Sequence, residues 1–157
     1  MKIFLVRHAH AGQRSPGHRD IYRPLSAEGQ DRARQLASVL ADQPVDRIMA
    51  SPATRCVQTL QPLASANDTE VEECQELWEG SSIDEAMAAL SADDGEVVVA
   101  CSHGDIIPGV IERLGALDVP ISGRGCELGS IWILDRVDGR WAGARYAGTG
   151  ADLDSRV

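Results

Sequence analysis

No apolar stretch in the 157 residues approaches the roughly 20 that a membrane-spanning helix needs, so no membrane partner is expected. The run Ile3-Phe4-Leu5-Val6 is too short for a signal-peptide core and meets Arg7 at once, which points to the cytoplasm. Cysteine is scarce. Cys56, Cys74, Cys101 and Cys126 are widely spaced with no Cys-x-x-Cys pair, which excludes a zinc ribbon or a redox dithiol and leaves four reduced thiols, mostly small core hydrophobes. Positive charge is in the minority, 15 Lys and Arg against 24 Asp and Glu, and a net charge of −9 argues against nucleic acid as a partner. Internal repeats, low-complexity tracts and linkers are missing too. What is present is 43% hydrophobic and 25% charged residues, in a length suited to one domain with a true core. The domain is expected over 1–147, with 148–157 as a flexible tail.

Charge is placed unevenly. Residues 1–55 carry nine basic and five acidic residues, whereas 56–157 carry six and nineteen. A basic first third on an acidic chain suggests a local anion site.

The apolar run at 2–6 predicts a strand buried on both faces. Residues 12–25, rich in Gly, Pro and charge, predict a loop. From Ser26, a candidate N-cap, the recurrence of Ala33, Leu36, Ala37 and Leu40 predicts a helix. A short strand is predicted at Arg47–Ala50. Ser51-Pro52 then reads as an N-cap with proline at the first helical position, opening a helix with Val57, Leu60, Leu63 and Ala64 on its buried stripe. Thr69 to Glu73 predicts a short edge strand. Ser82-Ile83-Asp84-Glu85 predicts a capping box and a helix through about Leu90. Val97 to Cys101 predicts a second strongly apolar strand, and Ile106 to Leu114 a helix stopped by Gly115. Ser130 to Val137 and Arg140 to Tyr146 flank Asp138-Gly139, the mark of a tight hairpin. The alternation predicts a three-layer α/β/α domain, with a mainly parallel sheet and helices on both faces.

In open α/β sheets, ligands bind beyond the carboxyl ends of the strands. Three predicted strands end in Arg7-His8-Ala9-His10, in Ser51-Pro52 with Arg55 one turn further on, and in Ser102-His103-Gly104-Asp105. Two arginines and two or three histidines at one sheet edge suit a phosphoryl group. Arginine matches its oxygens with a planar fork of donors, and a neutral imidazole can act as nucleophile.

LVRHAHAG at 5–12, LSAEGQDRARQLASVL at 25–40, SPATRCVQT at 51–59 and SHGD at 102–105 resemble the histidine phosphatase superfamily, whose fold is phosphoglycerate-mutase-like. The four motifs occur in that family's order, and the similarity extends over most of residues 1–147. The short chain is most similar to the SixA-type phosphohistidine phosphatases, and also to compact phosphatase domains fused to some Nudix hydrolases. The resemblance implies a phosphatase without metal or organic cofactor, acting on a phosphorylated small molecule or a phosphohistidine protein. It implies His8 as the nucleophile, Arg7 and Arg55 as holders of the phosphoryl oxygens, and His103 as the second histidine. Gly104 and Arg14 join the expected substrate-binding set. In the family, a carboxylate after a leucine often serves as general acid, and Leu77-Trp78-Glu79-Gly80 fits that pattern. Glu79 is therefore expected in this role, with Glu76 as rival. Ala9 stands where the family usually has glycine, and His10 where many members have an acid or glutamine. Arg14 falls near a position where mutases carry asparagine. These departures and the short length speak against mutase activity.

Two other readings compete. His8-x-His10 with His103 and Asp105 could form the ligand set of a metallohydrolase. A non-catalytic module could capture phosphorylated ligands with Arg7 and Arg55.

Overall fold

The computed structural model describes residues 1–17, 19–92 and 95–149. Its elements are β1 (Lys2–Arg7), α1 (Ala27–Val39), β2 (Arg47–Ala50), α2 (Thr54–Ala66), β3 (Glu72–Glu73), α3 (Ile83–Ser91), β4 (Val97–Ser102), α4 (Ile106–Ala116), β5 (Ile121–Ser122), β6 (Ile131–Val137) and β7 (Arg140–Gly148). The seven strands form one mixed sheet in the order β3-β2-β4-β1-β6-β7-β5. Pairing is parallel from β3 to β1 and antiparallel across β1–β6–β7, and β5 returns parallel to β7.

Strand β1 shows how the layers form. Side chains alternate across a strand, so Ile3 and Leu5 enter one core while Phe4 and Val6 enter the other. The first core is closed by Met87 and Leu90 of α3 and by Ile107, Val110 and Leu114 of α4. The second is closed by Leu36 of α1 and by Leu60 and Leu63 of α2. Helices thus cover both faces, as the alternating pattern implies.

Several boundaries differ from expectation. Helix α2 begins at Thr54 with Ala53 at its N-cap, not at Ser51-Pro52. The Ser51 amide is already committed to the sheet, donating to the Cys101 carbonyl at 3.0 Å, so the extended chain runs on past β2. Helix α4 does not stop at Gly115. It continues to Ala116, and the left-handed turn falls on Asp118 at φ 58°, a conformation aspartate tolerates. The expected strand at 69–73 shortens to Glu72–Glu73, and β5 was not foreseen. The 12–25 loop is not wholly irregular: it holds a 3₁₀ turn at Asp20–Tyr22 and is pinned by an Ala11–Leu25 bridge. The hairpin turn has φ 50° at Asp138 and 74° at Gly139, the positive pair that a tight two-residue turn requires. Strand β7 runs to Gly148, and Thr149 Oγ1 donates to Glu127 Oε2 at 2.9 Å. The strand therefore reaches beyond its expected end at Tyr146, and 150–157 of the expected tail lie outside the described residues, as does His18 of the loop.

Ser26 caps α1 as expected, its hydroxyl accepting from the Gly29 amide at 3.1 Å. Ser82 likewise caps α3, accepting from the Glu85 amide. Cys56, Cys74 and Cys101 are buried, and all four cysteines are free.

Candidate active site

The parallel register places the chemistry. Arg7 of β1 lies opposite Ser102 of β4, and Ala50 of β2 lies opposite Cys101. The residues that follow, His8, Ser51 and His103, therefore leave three adjacent strands at one level. The His8 amide donates to the Ser102 carbonyl at 3.1 Å, which locks that level. Behind it, the Ala9 amide donates to Thr59 Oγ1 at 3.0 Å, and that hydroxyl donates to the Arg55 carbonyl at 2.7 Å. Helix α2 thus holds both the loop after β1 and its own Arg55.

His8 is buried, 7% exposed, with Nδ1 at 2.8 Å from its neighbour's carbonyl, Ala9 O. A carbonyl only accepts, so Nδ1 carries the proton and Nε2 keeps its lone pair. Burial lowers the pKa of His8 to about 4; the hydrogen bond to Ala9 opposes this, and the charges of Arg55, His103 and Arg7 reinforce it. The ring is neutral at neutral pH.

Arg55 is 1% exposed, so its charge is met by protein groups. Nη1 donates to the Asp20 carbonyl at 2.9 Å, and Nη2 lies 3.1 Å from Asp20 Oδ2 and 3.5 Å from Glu79 Oε2. Its Nε is buried without a partner, as is Nε of Arg7. Buried donors left unsatisfied are costly, and here two of them belong to the residues expected to grip a phosphoryl group. Arg7 Nη1 donates to the Cys126 carbonyl at 2.5 Å. Its guanidinium lies over Gly104 so closely that a Cβ there would sit 2.9 Å from Nη2.

His103 is 2% exposed. Nε2 is 2.8 Å from Ser51 Oγ, while Nδ1 is 3.4 Å from Arg55 Nη2 and 3.9 Å from Glu79 Oε2. A guanidinium only donates, so Nδ1 accepts from Arg55 and Nε2–H donates to Ser51. The ring makes edge contacts with His8 at 5.4 Å and with Trp78 at 5.3 Å between centroids.

These groups open into a pocket of about 610 Å³ whose walls include Arg7, His8, Arg14, Glu79, His103 and Gly104. Glu79 is brought to the site. Glu76 is not: it is exposed and accepts from the Cys74 thiol at 3.3 Å. Arg14 reaches the pocket wall on an exposed side chain, with Nε 3.3 Å from Asp20 Oδ1. His10 also lines the pocket, but its ring turns to Ser26, with Nδ1 2.7 Å from Oγ. Asp105 accepts from the Gly80 amide at 2.7 Å and so anchors the loop that carries Glu79.

The metal-ligand set considered above does not assemble. His8 is tied to Ala9, His10 to Ser26 and Asp105 to Gly80, and among the described residues no group of three or more His, Cys, Asp and Glu could hold a metal ion.

Sequence reasoning missed Asp20 and read Ser51 only as a cap. Asp20 was findable as the lone acid in a loop with Arg14, His18, Arg19 and Arg23. Its carboxyl is partly desolvated, yet the hydrogen bond from Arg23 and the charges of Arg55, Arg23 and Arg14 hold it below the usual carboxylate range. The contribution of the Cys126 carbonyl carried no signal, because backbone atoms are contributed by any residue.

Comparison with known proteins gives a consistent result. The model of the histidine phosphatase superfamily (branch 1) matches residues 3–84. An 8-oxo-(d)GTP phosphatase of Mycolicibacterium smegmatis is 32% identical over 152 residues, covering 92% of this chain and 47% of that protein. The chain thus spans about half the length of this relative. A phosphohistidine phosphatase SixA homolog of Haemophilus influenzae is 28% identical over 136 residues, covering 78% of this chain and 82% of that one. A crystal structure from Agrobacterium tumefaciens, described as a phosphohistidine phosphatase SixA, superposes with a TM-score of 0.72 at 26% identity, over 89% of this chain and 92% of that chain.

Proposed function

The chain belongs to the histidine phosphatase superfamily, and from that premise we propose that it is a phosphatase that works through a phosphohistidine on His8, without a metal or organic cofactor. The observation that carries this reading is the His8 ring: neutral, its Nδ1 proton fixed on Ala9 and its Nε2 left with a lone pair, in a pocket it lines with Arg7 and His103 and within the field of Arg55. His8 Nε2 attacks phosphorus in line, forming a P–N bond as the bond to the leaving atom breaks. Arg7 and Arg55 hold the equatorial oxygens, where their unsatisfied Nε–H groups gain an acceptor. His103, oriented by Nε2–H on Ser51 and by the Arg55 guanidinium at Nδ1, packs its ring edge against His8 and holds Arg55 in place for the phosphoryl group. Glu79 gives its proton to a basic leaving oxygen. As carboxylate it then takes a proton from the water that breaks the P–N bond and releases inorganic phosphate.

The phosphoryl donor is a small phosphomonoester or a phosphohistidine side chain. The names of the Haemophilus and Agrobacterium relatives support the second. The test is chemical trapping. Brief exposure of the protein to a phosphoryl donor, followed by an alkaline quench, should leave phosphate on the chain that acid removes. His8→Ala should trap none, and trapped, acid-labile phosphate in that variant would defeat the mechanism. A wild type that binds phosphate yet turns over no donor would favour the capture module instead.

A further inference from the structure

Beside the catalytic pocket lies a second cavity of about 560 Å³, built by the 12–25 loop. Its walls include Arg14, Pro16, Arg19, Tyr22, Arg23 and Pro24. Arg14 and Arg23 line both cavities, so the two share a wall. We propose that this outer cavity is a binding site for the leaving group, and that it selects phosphomonoesters whose leaving group is an apolar or planar body bearing a second anion.

The charge balance supports an anion. Among the described residues, three guanidiniums line the cavity against a single carboxylate, Asp20. That carboxylate is already shared among Arg14 at 3.3 Å, Arg23 at 2.9 Å and Arg55 at 3.1 Å. Arg23 is further used by the Gly12 carbonyl. The Arg19 side chain has neither a hydrogen bond nor an ion pair with any described residue, so one of the cavity's cations has no partner of its own. A cleft lined by one sign of charge concentrates the opposite ion.

The apolar part has its own support. Tyr22 is 66% exposed, the most exposed large hydrophobic side chain among the described residues. Pro16 and Pro24 extend the same wall, and both are stiff backbone positions. A stiff, apolar surface beside the unpaired Arg19 guanidinium fits an anion carried on an apolar body better than a bare anion. The loop itself is braced from inside: Asp20 reaches Arg55, and Arg23 reaches Gly12. Its outer residues are thus presented from a fixed base.

This inference rests on the phosphatase reading, so its test uses binding as well as turnover. The probes are 4-(ω-carboxyalkyl)phenyl phosphates with one to four methylenes, each paired with the ω-hydroxyalkyl isostere of equal length. Affinities are measured by calorimetry on His8→Ala, with and without Arg19→Gln and Tyr22→Ser, and turnover is measured on the chain with His8 intact. At the best spacer, the carboxylate probe should bind about tenfold more tightly than its isostere, the scale of a charge-assisted contact in a partly shielded site. Arg19→Gln should erase that preference and leave the isostere's affinity unchanged. Tyr22→Ser should weaken both probes together. Equal affinity for carboxylate and isostere at every length would overturn the proposal, as would a preference that survives Arg19→Gln. Selective binding without any turnover would uphold the outer site and overturn the phosphatase reading; turnover without selectivity would do the reverse.

Discussion

His8 is held neutral in a setting where free histidine would titrate near 6.5, and this has a signature in stability. Its folded pKa is about 4, lowered first by burial. Between those values the unfolded chain binds the proton and the folded chain does not. The contribution of His8 is therefore fully present above pH 6.5 and is lost as pH falls toward 4, by on the order of 3 kcal/mol. Denaturant titrations of wild type and His8→Asn at pH 7 and pH 4.5 should show the wild type losing more. Parallel losses would mean the ring is not desolvated. Glu79 carries a different prediction. It is within 3.5 Å of Arg55 and 3.9 Å of His103, whereas Glu76 faces Cys74. Glu79→Gln should slow phosphorylation of the enzyme by alkyl phosphates by about 10²-fold or more, because an alkoxide cannot leave unprotonated. Nitrophenyl phosphate, and phosphohistidine with its easily protonated imidazole, should be nearly unaffected. Single-turnover rates check this, with Glu76→Gln as the silent control.

Among the elements, two helix starts are fitted to the site through glycines, and they separate stability from catalysis. In the first turn of α1, a Cβ at Gly29 would lie 2.0 Å from the His10 carbonyl oxygen. Gly29→Ala must push α1 away from the chain that follows β1, at a cost of about 1–3 kcal/mol. Gly104, just before α4, faces the Arg7 guanidinium instead, a movable group. Gly104→Ala should leave unfolding nearly unchanged and lower kcat/KM by about 10-fold or more through displacement of Arg7. Thermal unfolding and steady-state kinetics on both variants would reverse this reading if Gly104→Ala unfolded early with Arg7-dependent activity intact. Buried strands and helix stripes were legible because period 2 and period 3.6 expose their purpose in single residues, as in Ile3-Phe4-Leu5-Val6. The start of α2 was not legible, because Ser51 looks like a cap whether its amide is free or, as here, taken by Cys101. Likewise Gly115 resembles a stop, but Asp118 turns the chain. Of the site, His8, Arg7, Arg55 and His103 were legible from their places at strand ends. Asp20 and the carbonyl of Cys126 act across 35 and 119 residues, respectively, and local pattern does not reach that far.

Considered as a whole molecule, the two cores share one sheet, and β1 feeds both from alternate faces. The site sits where β1, β4 and β2 end, so an anion bound there bridges elements from both layers. Ligand binding should therefore register as global stabilisation. At about 100 times its dissociation constant, a ligand adds about 2.7 kcal/mol, which for a domain of this size raises Tm by roughly 5–10 °C. Vanadate or phosphate should do this in wild type, whereas Arg7→Ala and Arg55→Ala should show little or no shift at the same concentration. An undiminished shift in either would remove that arginine from the anion site. The overall charge of −9 does not contradict an anionic ligand, because the basic residues are concentrated in the first 55 positions, which supply β1, the loop and Arg55.

The Asp20–Arg55 contact has a consequence for the end of the cycle. Arg55 keeps a carboxylate beside it: Asp20 Oδ2 lies 3.1 Å from Nη2. An incoming phosphoryl group gains that nitrogen only by competing with this resident anion, which stands ready to take it back when phosphate departs. The grip on the product is thereby weakened by the same group that balances Arg55. Such an arrangement favours exchange over retention, and it suits a catalyst that must let go of a dianion in a crowd of arginines each time it turns over.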